Sequence, residues 1–357
     1  MLRKALLAIV VFVIVGEAMI RFDAATLFFQ GGEHLSNAAK RSDVLEALNS
    51  GRFHSQQNQL RVMLVGDSYL YGAGVAPDRH FTVRLKDRLV EKCQAPCPEV
   101  SVLDLTSPGN NTWANVRDFL KYADAFQPQV ALLAYNENDV YGRQEEAIKS
   151  TAAAKPRSDS ADGGSLETVR SLRRALFSSK LAELLLTKTN MELKLAGVVV
   201  PGTEFEHQVN RSHSPDYPGW VRSQRLLADL GKYCRDRNVH LLVANMPELN
   251  MLGNYGLYSK ADAAVEQFFR SINVDFVNAA EAFLRNPSRD FSISRYDGHP
   301  NEKAHSVVAD FIAGRLTQAI SVNTGSPRLM QRAALPGGVN AAPVQTSDRT
   351  VNSSPGN

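Results

Sequence analysis

The stretch Arg61-Val62-Met63-Leu64-Val65-Gly66-Asp67-Ser68 decides the fold. An apolar run follows Arg61 without a break and stops at a turn of small residues that ends at Gly74-Val75. A short, continuous apolar run fits a strand buried on both faces, as in a parallel sheet. Such a strand ends at the carboxyl rim of the sheet, where a tight turn can lift a serine clear of it. A hydroxyl alone is a weak nucleophile until a base takes its proton. What Ser68 can do therefore depends on the rest of the chain.

The candidate base lies far downstream, in Tyr296-Asp297-Gly298-His299-Pro300-Asn301. The His299 imidazole titrates near neutrality and can carry a proton in both directions. Asp297, expected on an irregular loop, is close enough to reach the second ring nitrogen and hold the tautomer. Pro300 suits the first turn of a helix running from Glu302 to about Ala319. Two further segments offer oxyanion donors. After the apolar run Val100 to Leu105 comes a turn whose Gly109 can present a bare backbone N–H. After Val130 to Tyr135 comes Asn136-Glu137-Asn138-Asp139, where the Asn138 amide can donate; such donors are typically worth ~3 kcal/mol each. Asp67 reads as a turn residue bonding local N–H groups, Asp139 as a brace for its loop, and His305 as a packing residue in the C-terminal helix. No histidine or cysteine spacing of zinc type occurs, so neither metal nor cofactor is expected.

Strands and helices alternate through this region. Val239 to Asn245 reads as a fourth strand after a helix from Trp220 to about Arg237. Val274 to Ala279 reads as a fifth after a helix from about Lys260 to Ile272. The expected class is α/β: a three-layer, flavodoxin-like parallel sheet of about five strands. One long interruption, 142–218, carries a small-residue loop (149–165) and a helical stretch from Leu166 to Leu195. It emerges at the same rim and reads equally as a lid or platform and as a cover for the sheet edge. Tyr69, Trp113 and Glu248 also fall at this rim and are candidate substrate contacts.

On these residues the chain resembles the SGNH (GDSL-type) hydrolases over roughly Arg61 to Ile320. The matching blocks read VGDSYLYGAGV, TSPGNNTWAN, YNENDV and YDGHPNEKAH. The resemblance implies Ser68 as nucleophile, the Ser68 N–H, Gly109 N–H and Asn138 amide as oxyanion hole, and His299 as base oriented by Asp297. The third block opens with Asn136 where the family usually has glycine. The last block has one residue between aspartate and histidine, a form that some exported members acting on bacterial surface glycans show.

The chain has 357 residues, 44% of them hydrophobic, enough for one large core with appendages. A net charge of +3 without an aromatic-interleaved basic patch gives no reason to expect a nucleic-acid partner. Residues 1–24 open with Arg3 and Lys4 before an apolar run from Ala5 to Gly16, short against the ~17–25 residues of a full span. They read as an uncleaved signal anchor, with a cleaved signal peptide as the alternative, which places the catalytic domain in the periplasm or outside the cell. Residues 25–58 read as a linker, 59–321 as the hydrolase domain and 322–357 as a disordered tail. Cys93 and Cys97 could close a small loop in an oxidising compartment, leaving Cys234 as a buried thiol.

The expected protein is thus a membrane-anchored serine esterase removing O-acyl groups, above all acetyl, from a glycan or small-molecule ester. An O-acyltransferase acting on an envelope polysaccharide, a lipase or thioesterase, and an inactive surface-binding module stand as alternatives. The oligomeric state is not legible.

Overall fold

The computed structural model describes residues 43–51, 53, 59–92, 99–141, 180–285 and 290–324. Five strands, β1 (Gln59–Val65), β2 (Glu99–Asp104), β3 (Val130–Tyr135), β4 (His240–Asn245) and β5 (Asp275–Asn278), form one sheet in the order β2-β1-β3-β4-β5. Every neighbouring pair is parallel. All five strands expected from the apolar runs are present, within a residue or two of their expected ends. The order reverses at β1, so the switch point lies between β1 and β3.

Alternation along each strand sorts the core into two layers. On one face Val62, Leu64, Leu132, Ala134, Leu242 and Ala244 pack with α3 (Phe81–Lys92), α9 (Ala280–Leu284) and α10 (Glu302–Thr324), through Leu85, Leu89, Phe283, Val308 and Ile312. On the other, Met63, Val65, Ala131, Leu133, Leu241 and Val243 meet α4 (Thr112–Phe126), α7 (Pro218–Asp236) and α8 (Ser259–Ser271), through Val116, Phe119, Trp220, Leu227, Val265 and Phe269. The result is the three-layer α/β arrangement. Each fully buried Leu or Phe side chain contributes roughly 1.5–3 kcal/mol. β3, in the centre, is buried at every position, as a strand covered on both faces must be.

The other α-helices among the described residues are α1 (Asp43–Asn49), α2 (Ser68–Tyr71), α5 (Lys180–Leu195) and α6 (Glu204–Asn210). A hairpin of β6 (Ser292–Ser294) and β7 (Asp297–Pro300) stands apart from the main sheet. The segment expected as an irregular loop is therefore partly strand, and Asp297 and His299 both lie on β7. Pro300 ends that strand rather than entering the helix, and the Asn301 side chain caps α10 by accepting from the Ala304 N–H at 3.1 Å. α10 runs on to Thr324, past the expected start of the tail at 322.

Residues 1–24, the Cys93–Cys97 pair, 142–179 and most of 322–357 lie outside the described residues. Among the described residues no helix is long and apolar enough to cross a membrane. The expected helix from Leu166 is described only from Lys180, and 196–217 add α6. Cys234 is buried and free, and burial pushes its thiol up to about 12.

Candidate active site

Ser68 stands on the turn that leaves β1. Gly66 starts that turn against the neighbouring strand: a Cβ there would lie 2.8 Å from the Cβ of Ala134. Asp67 caps α2 by accepting from the Tyr69 N–H at 2.9 Å, the local role read from the sequence. α2 then ends at Gly72, in the left-handed region at φ 69°. A Cβ at Gly72 would fall 2.6 Å from the His305 ring. His305 is itself fully buried, its Nδ1 accepting from the Phe81 N–H at 2.8 Å. It packs under the serine turn, while the Ser68 hydroxyl is bonded by His299.

The hydroxyl of Ser68 lies 2.8 Å from His299 Nε2, across 231 positions of sequence. On the other side of the ring, His299 Nδ1 lies 2.6 Å from Asp297 Oδ1, which also accepts from the His299 backbone N–H at 3.0 Å. One carboxylate oxygen thus holds both the backbone and the ring of the same residue. Burial alone would raise the Asp297 carboxyl; the His299 N–H, ring and charge outweigh it and leave it below the ordinary carboxylate range. With Asp297 ionised, Nδ1 carries the proton and Nε2 is free to accept from Ser68. The Tyr69 ring lies beside the imidazole, centroids 5.0 Å apart, and limits its swing.

The two expected oxyanion segments converge on this turn to different degrees. The Asn138 side chain lies near the Asp67 carboxyl and works against the effect of burial on it, which sets Asn138 beside the serine turn. Its carbonyl oxygen is buried without a hydrogen-bond partner among the described residues. Gly109 sits in a turn at φ 75°, with open space where a Cβ would be. The loop is tied to the serine turn by the Ser107 N–H, which donates to the Gly66 carbonyl at 3.1 Å. Burial raises the carboxyls of Asp67 and, more strongly, Asp139, on the two turns that follow β1 and β3.

The three candidate substrate contacts fare differently. Tyr69 is 8% exposed and spends its ring on His299. Trp113, at the start of α4, stands 56% exposed with the Arg117 guanidinium 4.8 Å above its ring. Glu248 is engaged on both oxygens by Lys194, at 2.7 and 2.6 Å, and accepts from the Tyr258 hydroxyl at 2.8 Å. Sequence reasoning missed Glu248's contact behind the catalytic strand: a Cβ at Gly298 would lie 2.6 Å from its Cγ. Only glycine fits between Asp297 and His299, and that is the residue the sequence has. Among the described residues no group of metal-ligating side chains gathers.

No family model matches the chain, and no curated protein matches it. Solved structures do. TesA is 11% identical, with 72% of this chain and 99% of that one covered, at a TM-score of 0.41. A lipase/acylhydrolase from Enterococcus faecalis is 10% identical, with 73% and 96% covered, at 0.42. A catalytic mutant of an acetylxylan esterase from Geobacillus stearothermophilus is 12% identical, with 71% and 92% covered, at 0.41.

Proposed function

We propose that the protein is a serine hydrolase of SGNH type that cleaves esters through an acyl-enzyme at Ser68. The hydrogen-bonded chain from Ser68 through His299 to Asp297 carries this reading. His299 Nε2 takes the hydroxyl proton as Ser68 Oγ attacks the ester carbonyl. The negative charge that develops on the carbonyl oxygen is received by the Ser68 and Gly109 N–H groups and the Asn138 amide. His299 then gives the proton to the departing alcohol. A water, deprotonated by the same imidazole, attacks the acyl carbonyl and returns Ser68 with release of the acid. Asp297 stays ionised throughout and stabilises the imidazolium between the two transfers.

The finer reading is removal of small O-acyl groups, such as acetyl, from carbohydrate. The side chains of His299 and Asp297 are 38% and 44% exposed, which suits an alcohol part larger than a small molecule's. Tyr296, 48% exposed and next to Asp297, offers an aromatic face beside the relay. Membrane anchoring with the catalytic domain outside the cytoplasm rests on the positively flanked apolar run at the start of the sequence.

The test uses the full-length chain in detergent with 4-nitrophenyl acetate and a fluorophosphonate probe. Ser68→Ala is expected to lose both turnover and labelling, and the parent's label should map to Ser68 by mass spectrometry. Equal rates in the two proteins would remove Ser68 from its role. Release of acetate from an acetylated oligosaccharide, but not of fatty acid from a long-chain ester, would support the carbohydrate reading.

A further inference from the structure

Among the described residues, the hairpin that bears Asp297 and His299 pairs only with itself, with an irregular register between Ser292 and Ser294. A lone two-stranded hairpin is only marginally stable, so its geometry has to be held from outside. From beneath, Glu248 and Asn250 pack against Gly298, and the Asn250 amide donates to the Arg295 carbonyl at 3.2 Å. From outside, the last turn of α5 holds it. Glu192 Oε2 accepts from the Arg295 guanidinium at 2.6 Å, and its Oε1 accepts from the Tyr296 hydroxyl at 2.6 Å. Arg295 and Tyr296 form the turn immediately before Asp297. Two residues on from Glu192, Lys194 bonds both oxygens of Glu248. The inserted segment thus reaches the turn before the catalytic strand through Glu192, and the strand itself at Gly298 through Glu248 by way of Lys194.

We propose that Glu192 is a positioning residue. By binding Arg295 and Tyr296 together it sets the turn from which Asp297 and His299 project, and so couples the inserted segment to the alignment of the relay. The proposal rests on the serine-hydrolase reading above. An exposed ion pair of this kind adds little to global stability. A catalytic group displaced by 1 Å, however, can cost about 10²-fold in rate. The effect of Glu192 is therefore expected in kcat and in the local motion of the hairpin, with the melting temperature little changed.

Steady-state kinetics with 4-nitrophenyl acetate and hydrogen exchange of residues 292–300 decide the matter on the full-length chain. Glu192→Ala is expected to lower kcat by about tenfold with KM within about twofold and to speed exchange of the hairpin amides. Tyr296→Phe is expected to lose part of the same rate, and combining it with Glu192→Ala should add nothing further, because both remove one interaction. Lys232→Met breaks an equally exposed pair with Asp236 on α7 and should leave kcat unchanged. A kcat for Glu192→Ala within twofold of the parent overturns the proposal. So does a loss of rate that follows a matching fall in melting temperature. If the parent lacks esterase activity, the hydrolase reading fails; hairpin exchange then judges the positioning role alone, faster exchange supporting it and unchanged exchange overturning it.

Discussion

At Gly66 the main chain of β1 passes so close to β3 that a methyl group would meet Ala134 at 2.8 Å. That contact lies one residue from Asp67 and two from Ser68, so strain there moves the nucleophile. Gly66→Ala is expected to destabilise the fold by about 1–3 kcal/mol, read as a fall of roughly 2–10 °C in melting temperature; an unchanged value would show that the strands separate freely at this point. The glycine, the aspartate and the serine were all legible as a turn after a buried strand. The reason for Gly66 was not, because its neighbour Ala134 belongs to a strand brought alongside only by folding. Gly298 carries the same lesson. One residue between Asp297 and His299 was visible, whereas the side chain of Glu248 that excludes a Cβ there was visible only as a rim residue of unassigned use.

Among the elements, the long helices and the sheet strands were the easiest to read and the catalytic hairpin the hardest. Each strand of the main sheet is a run of apolar side chains, and each covering helix has an apolar stripe. β6 and β7 are three and four residues long, largely polar and partly exposed, too short for a strand period to stand out in the sequence. They form because the chain is anchored on both flanks. Asn301 supplies much of that anchoring: its amide donates to the carbonyls of Asp290 and Ser292 at 3.2 and 3.1 Å while its oxygen caps α10. Loss of such a cap typically costs ~0.5–2 kcal/mol. Asn301→Ala is therefore expected to lower stability to chemical denaturation by that amount. It should also lower kcat, since the same side chain ties β6 to the start of the helix. A variant with parental stability and parental rate would mean that water replaces both sets of bonds.

For the whole molecule, the carboxyl ends of β1, β3 and β4 gather acids that the core then closes over. Glu137 is the clearest case: burial, reinforced by the charges of Asp262 and Glu248, pushes its carboxyl up from 4.5 to about 8. Its folded value is raised, so the protonated form is favoured by folding. The stability this confers is complete below about pH 4.5 and is lost as pH rises towards 8, at up to ~1.4 kcal/mol per pH unit. Glu137→Gln cannot ionise, so calorimetric scans from pH 5 to 8.5 should show its melting temperature falling less steeply than the parent's. Parallel curves would mean that Glu137 ionises in the folded protein without penalty.

Composition, apolar periodicity and four ordered blocks were by themselves enough for the α/β class, the sheet strands and the identity of Ser68, His299, Gly109 and Asn138 as candidates, because each is carried by residues adjacent in sequence. Pairings between distant residues were decided by the tertiary structure alone. The 2.8 Å approach of Ser68 to His299, the fit of Gly298 against Glu248 and the bonding of Arg295 and Tyr296 to Glu192 depend on how separate elements pack. Such contacts form where buried apolar faces bring elements together, and local sequence carries no record of what lies on the other side.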